Sequence, residues 1–163
     1  MKDDYNVLFL CTGNSARSIM AEAILNAKGR PHFTAYSAGS HPSGFVHPEA
    51  LKQLERAHLS LNGARSKSWD EFARPGAPKM DFVFTVCDNA AKEQCPYWPG
   101  QPMTAHWGVA DPAAVKGTPE EIARAFRDAF TVLDRRIGLF LSLPLATLED
   151  MAIKHQIDQI GRS

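Results

Sequence analysis

The chain has no surplus of charge of either sign. Its 18 lysines and arginines are matched by 18 aspartates and glutamates over 163 residues. It therefore lacks the basic field that a nucleic acid or an acidic membrane surface selects, and neither is expected as a partner. Any anion it handles must be bound locally. No stretch reaches the ~18 apolar residues of a membrane-crossing helix, and no basic start leads into an apolar run, so a cytoplasmic location is expected. Cysteine is scarce. Cys11, Cys87 and Cys95 make an odd count, which argues against a secreted disulfide framework and for reduced thiols with a chemical task. His32, His41, His47, His58, His106 and His155 contain no i, i+4 pair and no cysteine partner at zinc spacing, so no metal site is expected from them. Repeats, low-complexity segments and linkers are also missing. With 44% hydrophobic residues, one domain spanning 1–163 is expected, large enough to bury its own core.

What is present is an alternation. Asn6 to Leu10, NVLFL, is short, apolar and rich in β-branched and aromatic residues, as a central parallel strand is. After Arg17, the spacing of Met20, Ile24 and Ala27 and the stop at Gly29 predict a helix. A second strand is expected from Phe33 to Ser37 and a helix after His47-Pro48, with proline in its first turn. A third strand, Asp81 to Val86, delivers Cys87 at its carboxyl end. Met103 to Trp107 predicts a fourth. Thr118, Pro119 and Glu121 form a capping box ahead of a stripe from Ile122 to Leu141, and a last helix is expected from Thr147 to Gln159. The pattern is that of an α/β domain with a parallel sheet, in which ligands sit at the carboxyl ends of strands. Cys11, Cys87 and the segment leading to Asp111 converge there.

The loop CTGNSAR, Cys11 to Arg17, carries the chemistry. Its small residues let successive backbone N–H groups of Thr12, Gly13, Asn14, Ser15, Ala16, Arg17 and Ser18 turn inward as an anion nest. A helix opening near Ala16 adds its positive end, and the Arg17 guanidinium offers a planar fork to two oxygens. The same field is expected to favour thiolate at Cys11, the nucleophile. Asn14 suits a left-handed turn and is assigned shape.

These residues resemble the low-molecular-weight tyrosine phosphatase fold, and more closely its arsenate reductase branch. The resemblance rests on NVLFLCTGNSARS, on YSAGS from Tyr36, on FTVCDNAAKEQCP from Phe84 and on HWGVADP from His106. It implies a three-layer α/β sandwich around a four-stranded parallel sheet, with Cys11 as nucleophile, Arg17 as oxyanion ligand and Asp111 as general acid. Asp-Pro is in itself an ordinary turn signal. Classical phosphatases carry paired tyrosines after it, whereas this chain has Ala113-Ala114, which removes a wall for a flat aromatic substrate.

A phosphatase has no use for Cys87 and Cys95. Reducing arsenate to arsenite takes two electrons, and two thiols closing to one disulfide supply two. The expected relay is attack by Cys11 on arsenate, attack by Cys87 on the Cys11 sulfur, then attack by Cys95 on Cys87. The intervening DNAAKEQ reads as a short helix; eight helical residues rise about 12 Å, while disulfide Cα separations seldom exceed about 7 Å. That segment must partly melt. The Cys87–Cys95 disulfide would then meet an external reductant, thioredoxin or glutathione with glutaredoxin, in a detoxifying reaction with no tightly bound cofactor. Hydrolysis of phosphate monoesters through Cys11 is the alternative. Glu22 and Ser37, with Asn14, form a polar shell behind the loop where some reductase relatives place a potassium ion; plain hydrogen bonding of the loop is the other reading. Surface or capping roles are expected of His41 and His106, a place near the cleft being the other reading, and Trp69, Trp98 and Trp107 are expected to pack or to line the cleft rim.

Overall fold

A computed structural model describes residues 4–88, 98 and 101–163. Strand β1, Tyr5–Leu10, is central; Val7 to Leu10 are buried without alternation, as a strand covered on both faces must be. It pairs in parallel with β2, Phe33–Ala38, on one side and with β3, Phe82–Thr85, on the other, and β3 pairs with β4, Met103–His106. The sheet order is β2-β1-β3-β4, and the fold is the α/β arrangement expected. β3 is one residue shorter at each end than its apolar run. Asp81 is instead pinned to Asn6, donating its N–H to the Asn6 carbonyl and accepting the Asn6 N–H at 2.8 Å on its carboxylate.

Helix α1, Arg17–Gly29, follows β1 through the Cys11 loop and buries Ile19, Met20, Ile24 and Leu25. Helix α2, Pro48–Arg56, starts on proline, and the His47 ring caps it by accepting the Glu49 N–H at 3.1 Å. Helix α3, Pro119–Leu141, opens on a reciprocal Thr118–Glu121 capping box and buries Phe126, Ala129, Leu133, Ile137 and Phe140. Each of the phenylalanine, leucine and isoleucine side chains contributes on the order of 1.5–3 kcal/mol on leaving water. Helix α4 runs over Asp150–Gly161, starting later than expected. The reason is local: Thr147 donates both its N–H and its hydroxyl to the Pro144 carbonyl, closing a turn instead of capping a helix. Trp107 is fully buried, stacked on Phe84 at 3.9 Å and donating its indole N–H to Ile157. Among the described residues no helix is long and apolar enough to cross a membrane.

Candidate active site

The register fixes where the chemistry sits. Leu10 stands opposite Thr85, so Cys11 and Cys87 leave the same sheet edge on adjacent strands. Between β1 and α1 the loop turns its carbonyls to one side. That of Thr12 accepts the His41 N–H at 3.0 Å, that of Gly13 accepts the Ser43 N–H at 2.9 Å, and that of Ser15 accepts the His47 N–H at 2.8 Å. The Thr12 N–H goes to the Cys87 sulfur and the Asn14 N–H to the Cys11 carbonyl at 3.2 Å, so the expected anion nest falls to the remaining N–H groups of the loop. Asn14 has φ +43°, the left-handed turn expected of it. Its buried side chain donates to the Ser18 hydroxyl and accepts the Lys67 N–H, both at 2.8 Å. Ala16 precedes α1, and no side chain caps the helix there, so its positive end faces the loop. The YSAGS motif has a packing reason. A Cβ on Gly39 would lie 2.5 Å from the Cys11 carbonyl oxygen and closer still to that of Thr12.

Cys11 and Cys87 are free thiols, both buried, and Cys87 bears directly on the titration of Cys11. The Cys87 sulfur also accepts the Thr12 N–H at 3.3 Å. This geometry corrects one expectation. The Cys11 pKa is pushed up, not down, first by Cys87 and then by burial. Arg17 and the Gly13 N–H pull the pKa down, and the neighbouring sulfur and burial dominate them.

Arg17 donates to the Val109 carbonyl at 2.7 Å and stands 3.6 Å from an Asp111 carboxylate oxygen. The Asp111 segment is tied down on three sides: Val109 N–H to Val86, Arg17 to Val109, and Arg136 to the Gly108 carbonyl at 2.9 Å. Asp111 itself is half-exposed and accepts the Ala113 N–H at 3.0 Å, capping the short turn Pro112–Ala114. The Asp-Pro turn and the proximity to Arg17 therefore coexist. Beside Cys87, the His106 ring bridges the Thr85 hydroxyl at 2.7 Å and the Asp88 carboxylate at 2.9 Å.

Cys95 and the expected short helix after Asp88 lie outside the described residues. Sequence reasoning missed Lys67, which sits in the charged run RSKSWDE and reads there as solvated surface. It is buried, and its ammonium donates to the Ser37 hydroxyl at 3.2 Å and the Arg65 carbonyl at 3.0 Å and pairs with Glu22 at 3.7 Å. The Ser37 hydroxyl donates to the same Glu22 oxygen at 2.7 Å. The shell expected to suit a potassium ion thus already faces a positive charge, and its oxygens do not fit a second. Among the described residues no group of three or more His, Cys, Asp or Glu gathers that could hold a metal.

Residues 6–152 match the model of the low molecular weight phosphotyrosine protein phosphatase family. The arsenate reductase of Oceanobacillus iheyensis is 35% identical over 134 residues, 82% of this chain and 93% of that protein. Among solved structures, the arsenate reductase of Archaeoglobus fulgidus superposes with a TM-score of 0.60 at 26% identity, covering 81% of this chain and 98% of that one. The low molecular weight protein tyrosine phosphatase of T. tengcongensis gives 0.61 at 27% identity, covering 83% and 99%.

Proposed function

The chain belongs to the low molecular weight phosphotyrosine protein phosphatase family, and from that premise we propose that it reduces arsenate to arsenite through Cys11, Cys87 and Cys95, in cytoplasmic arsenic detoxification. One observation carries this reading: a second buried thiol, Cys87, reaches the loop of the nucleophile, its sulfur accepting the Thr12 N–H at 3.3 Å. Hydrolysis needs one sulfur there; reduction needs two.

Arsenate enters the nest as a dianion, a base able to accept the Cys11 proton as Arg17 turns its fork onto the oxygens. The Cys11 sulfur bonds to arsenic(V), and an oxygen leaves as water with a proton from Asp111, which lowers the cost of expelling hydroxide. Cys87 then attacks the Cys11 sulfur. The sulfur–arsenic bond breaks, its electron pair stays on arsenic, and arsenite departs. Two thiols have become one disulfide, arsenic has gained two electrons, and one water has been released. Cys95 attacks Cys87, freeing Cys11, and a dithiol of the thioredoxin type reduces the resulting Cys87–Cys95 disulfide. A glutathione and glutaredoxin pair would serve the same step. The catalytic groups are Cys11, Arg17, Cys87, Cys95 and Asp111, with the Thr12 to Ser18 loop as the oxyanion cradle.

Phosphate ester hydrolysis is the second reading, favoured by the placement of Asp111 beside Arg17 at the same loop. The test sets arsenate-dependent NADPH oxidation, coupled through thioredoxin and its reductase, beside aryl phosphate hydrolysis. Arsenate-dependent oxidation with slow hydrolysis is expected. Fast hydrolysis with no arsenate-dependent oxidation would reverse the order.

A further inference from the structure

The polar shell behind the oxyanion loop is built as a cation site, yet one of its own side chains ends inside it. Three oxygens of different kinds converge: the Glu22 carboxylate from α1, the Ser37 hydroxyl from β2 and the Arg65 carbonyl. Carboxylate, hydroxyl and carbonyl oxygens are the donor types that hard cations take. The Lys67 ammonium meets all three, and it has three protons to give. We propose that Lys67 is the resident cation of this site, replacing a free potassium ion and holding the oxyanion loop in its binding shape without one.

The connection to the loop is direct. While its ammonium faces Glu22 and Ser37, Lys67 donates its backbone N–H to Asn14, the residue at φ +43° on which the loop turns. Its neighbour Ser66 donates to the Gly13 carbonyl at 3.2 Å. One short segment therefore anchors the cation and the loop together. Glu22 and Lys67 each require the other's charge: burial pushes the Glu22 carboxyl pKa up and Lys67 is the largest influence bringing it down, while burial lowers the Lys67 pKa and Glu22 is the largest influence raising it. A cation with the charge of potassium, already covalently attached, meets that need at any salt composition. Lys67 acts through Asn14 and Gly13 and is a positioning residue. The inference rests on the oxyanion loop alone and does not depend on which reaction the loop serves.

The test measures inorganic phosphate affinity by calorimetry in potassium chloride and in choline chloride at equal ionic strength. The wild-type protein should bind equally in both. The Lys67→Ser variant should lose roughly tenfold in choline, a common scale for coupling between neighbouring sites, and recover selectively in potassium. Lys67→Arg, which keeps the charge, should stay independent of potassium. Potassium-selective strengthening of wild-type binding overturns the proposal, as does a folded serine variant indifferent to the salt. If the serine variant folds in neither salt, the wild-type pair decides alone: equal affinities uphold the proposal, and a potassium-selective gain ends it.

Discussion

At the scale of single residues, Cys11 is governed by its neighbour. Cys87 and burial raise its pKa above the ordinary 9.0, while Arg17 and the Gly13 N–H pull it down. Cys87→Ala removes the largest raising cause. Alkylation of Cys11 by iodoacetamide at neutral pH, followed by mass spectrometry, should therefore be faster in that variant than in the ligand-free wild type; an equal or slower rate would remove Cys87 from control of the nucleophile. The same variant should lose arsenate reduction and keep residual aryl phosphate hydrolysis, whereas parallel loss of both would make Cys87 structural. The linkage to stability has a definite sign. A folded-state pKa above the unfolded value means the native protein keeps a proton that the unfolded chain releases. That contribution is present below about pH 9 and is lost as pH rises further. Denaturant unfolding of the reduced protein should show stability falling more steeply above that pH in wild type than in Cys11→Ser. The sequence alone suggests the opposite shift for Cys11: a helix start, an arginine and the convergence of Cys87 are all legible in it, but the burial of Cys11 and the upward push from the neighbouring sulfur are not.

At the scale of elements, the loop keeps its shape because other segments hold its carbonyls, and Gly39 is where the fit is tightest. Gly39→Ala would drive a methyl into the Cys11 and Thr12 carbonyls. It should cost about 1–3 kcal/mol by thermal or denaturant unfolding, the usual scale for overpacking, and should weaken phosphate binding; an unchanged affinity would show that the nest does not need this contact. Elements whose cause is local were readable in advance. The capping box and apolar stripe of α3 depend on residues three or four positions apart, and β1 running into the Cys11 loop and α1 is a contiguous pattern. Supports that arrive from afar were not. The Lys67–Asn14 bond spans 53 residues, and nothing in the run Arg65 to Asp70 distinguishes a buried ammonium from a solvated one. The start of α4 was misread for a smaller reason: Thr147 looks like a cap, but the carbonyl of Pro144 claims its hydroxyl.

At the scale of the whole molecule, a parallel sheet brings two thiols, an arginine and a carboxylate to one edge from positions as far apart as 11 and 111, and the order β2-β1-β3-β4 makes β1 and β3 neighbours. In the proposed reaction, that adjacency is what turns a loop suited to any tetrahedral oxyanion into a site for reducing one. The fold class followed from alternation of strands and helices. The choice between hydrolysis and reduction turned on Cys87 and Cys95, and the contact between Cys87 and the Cys11 loop supports reduction. The central claim is that electrons reach arsenic from these thiols in sequence. It is tested most directly by treating the fully reduced protein with arsenate for one turnover without any reductant, then mapping its disulfides by mass spectrometry. One arsenite per chain with Cys87 joined to Cys95 and Cys11 free is the predicted result, and three free thiols after exposure to arsenate would contradict it.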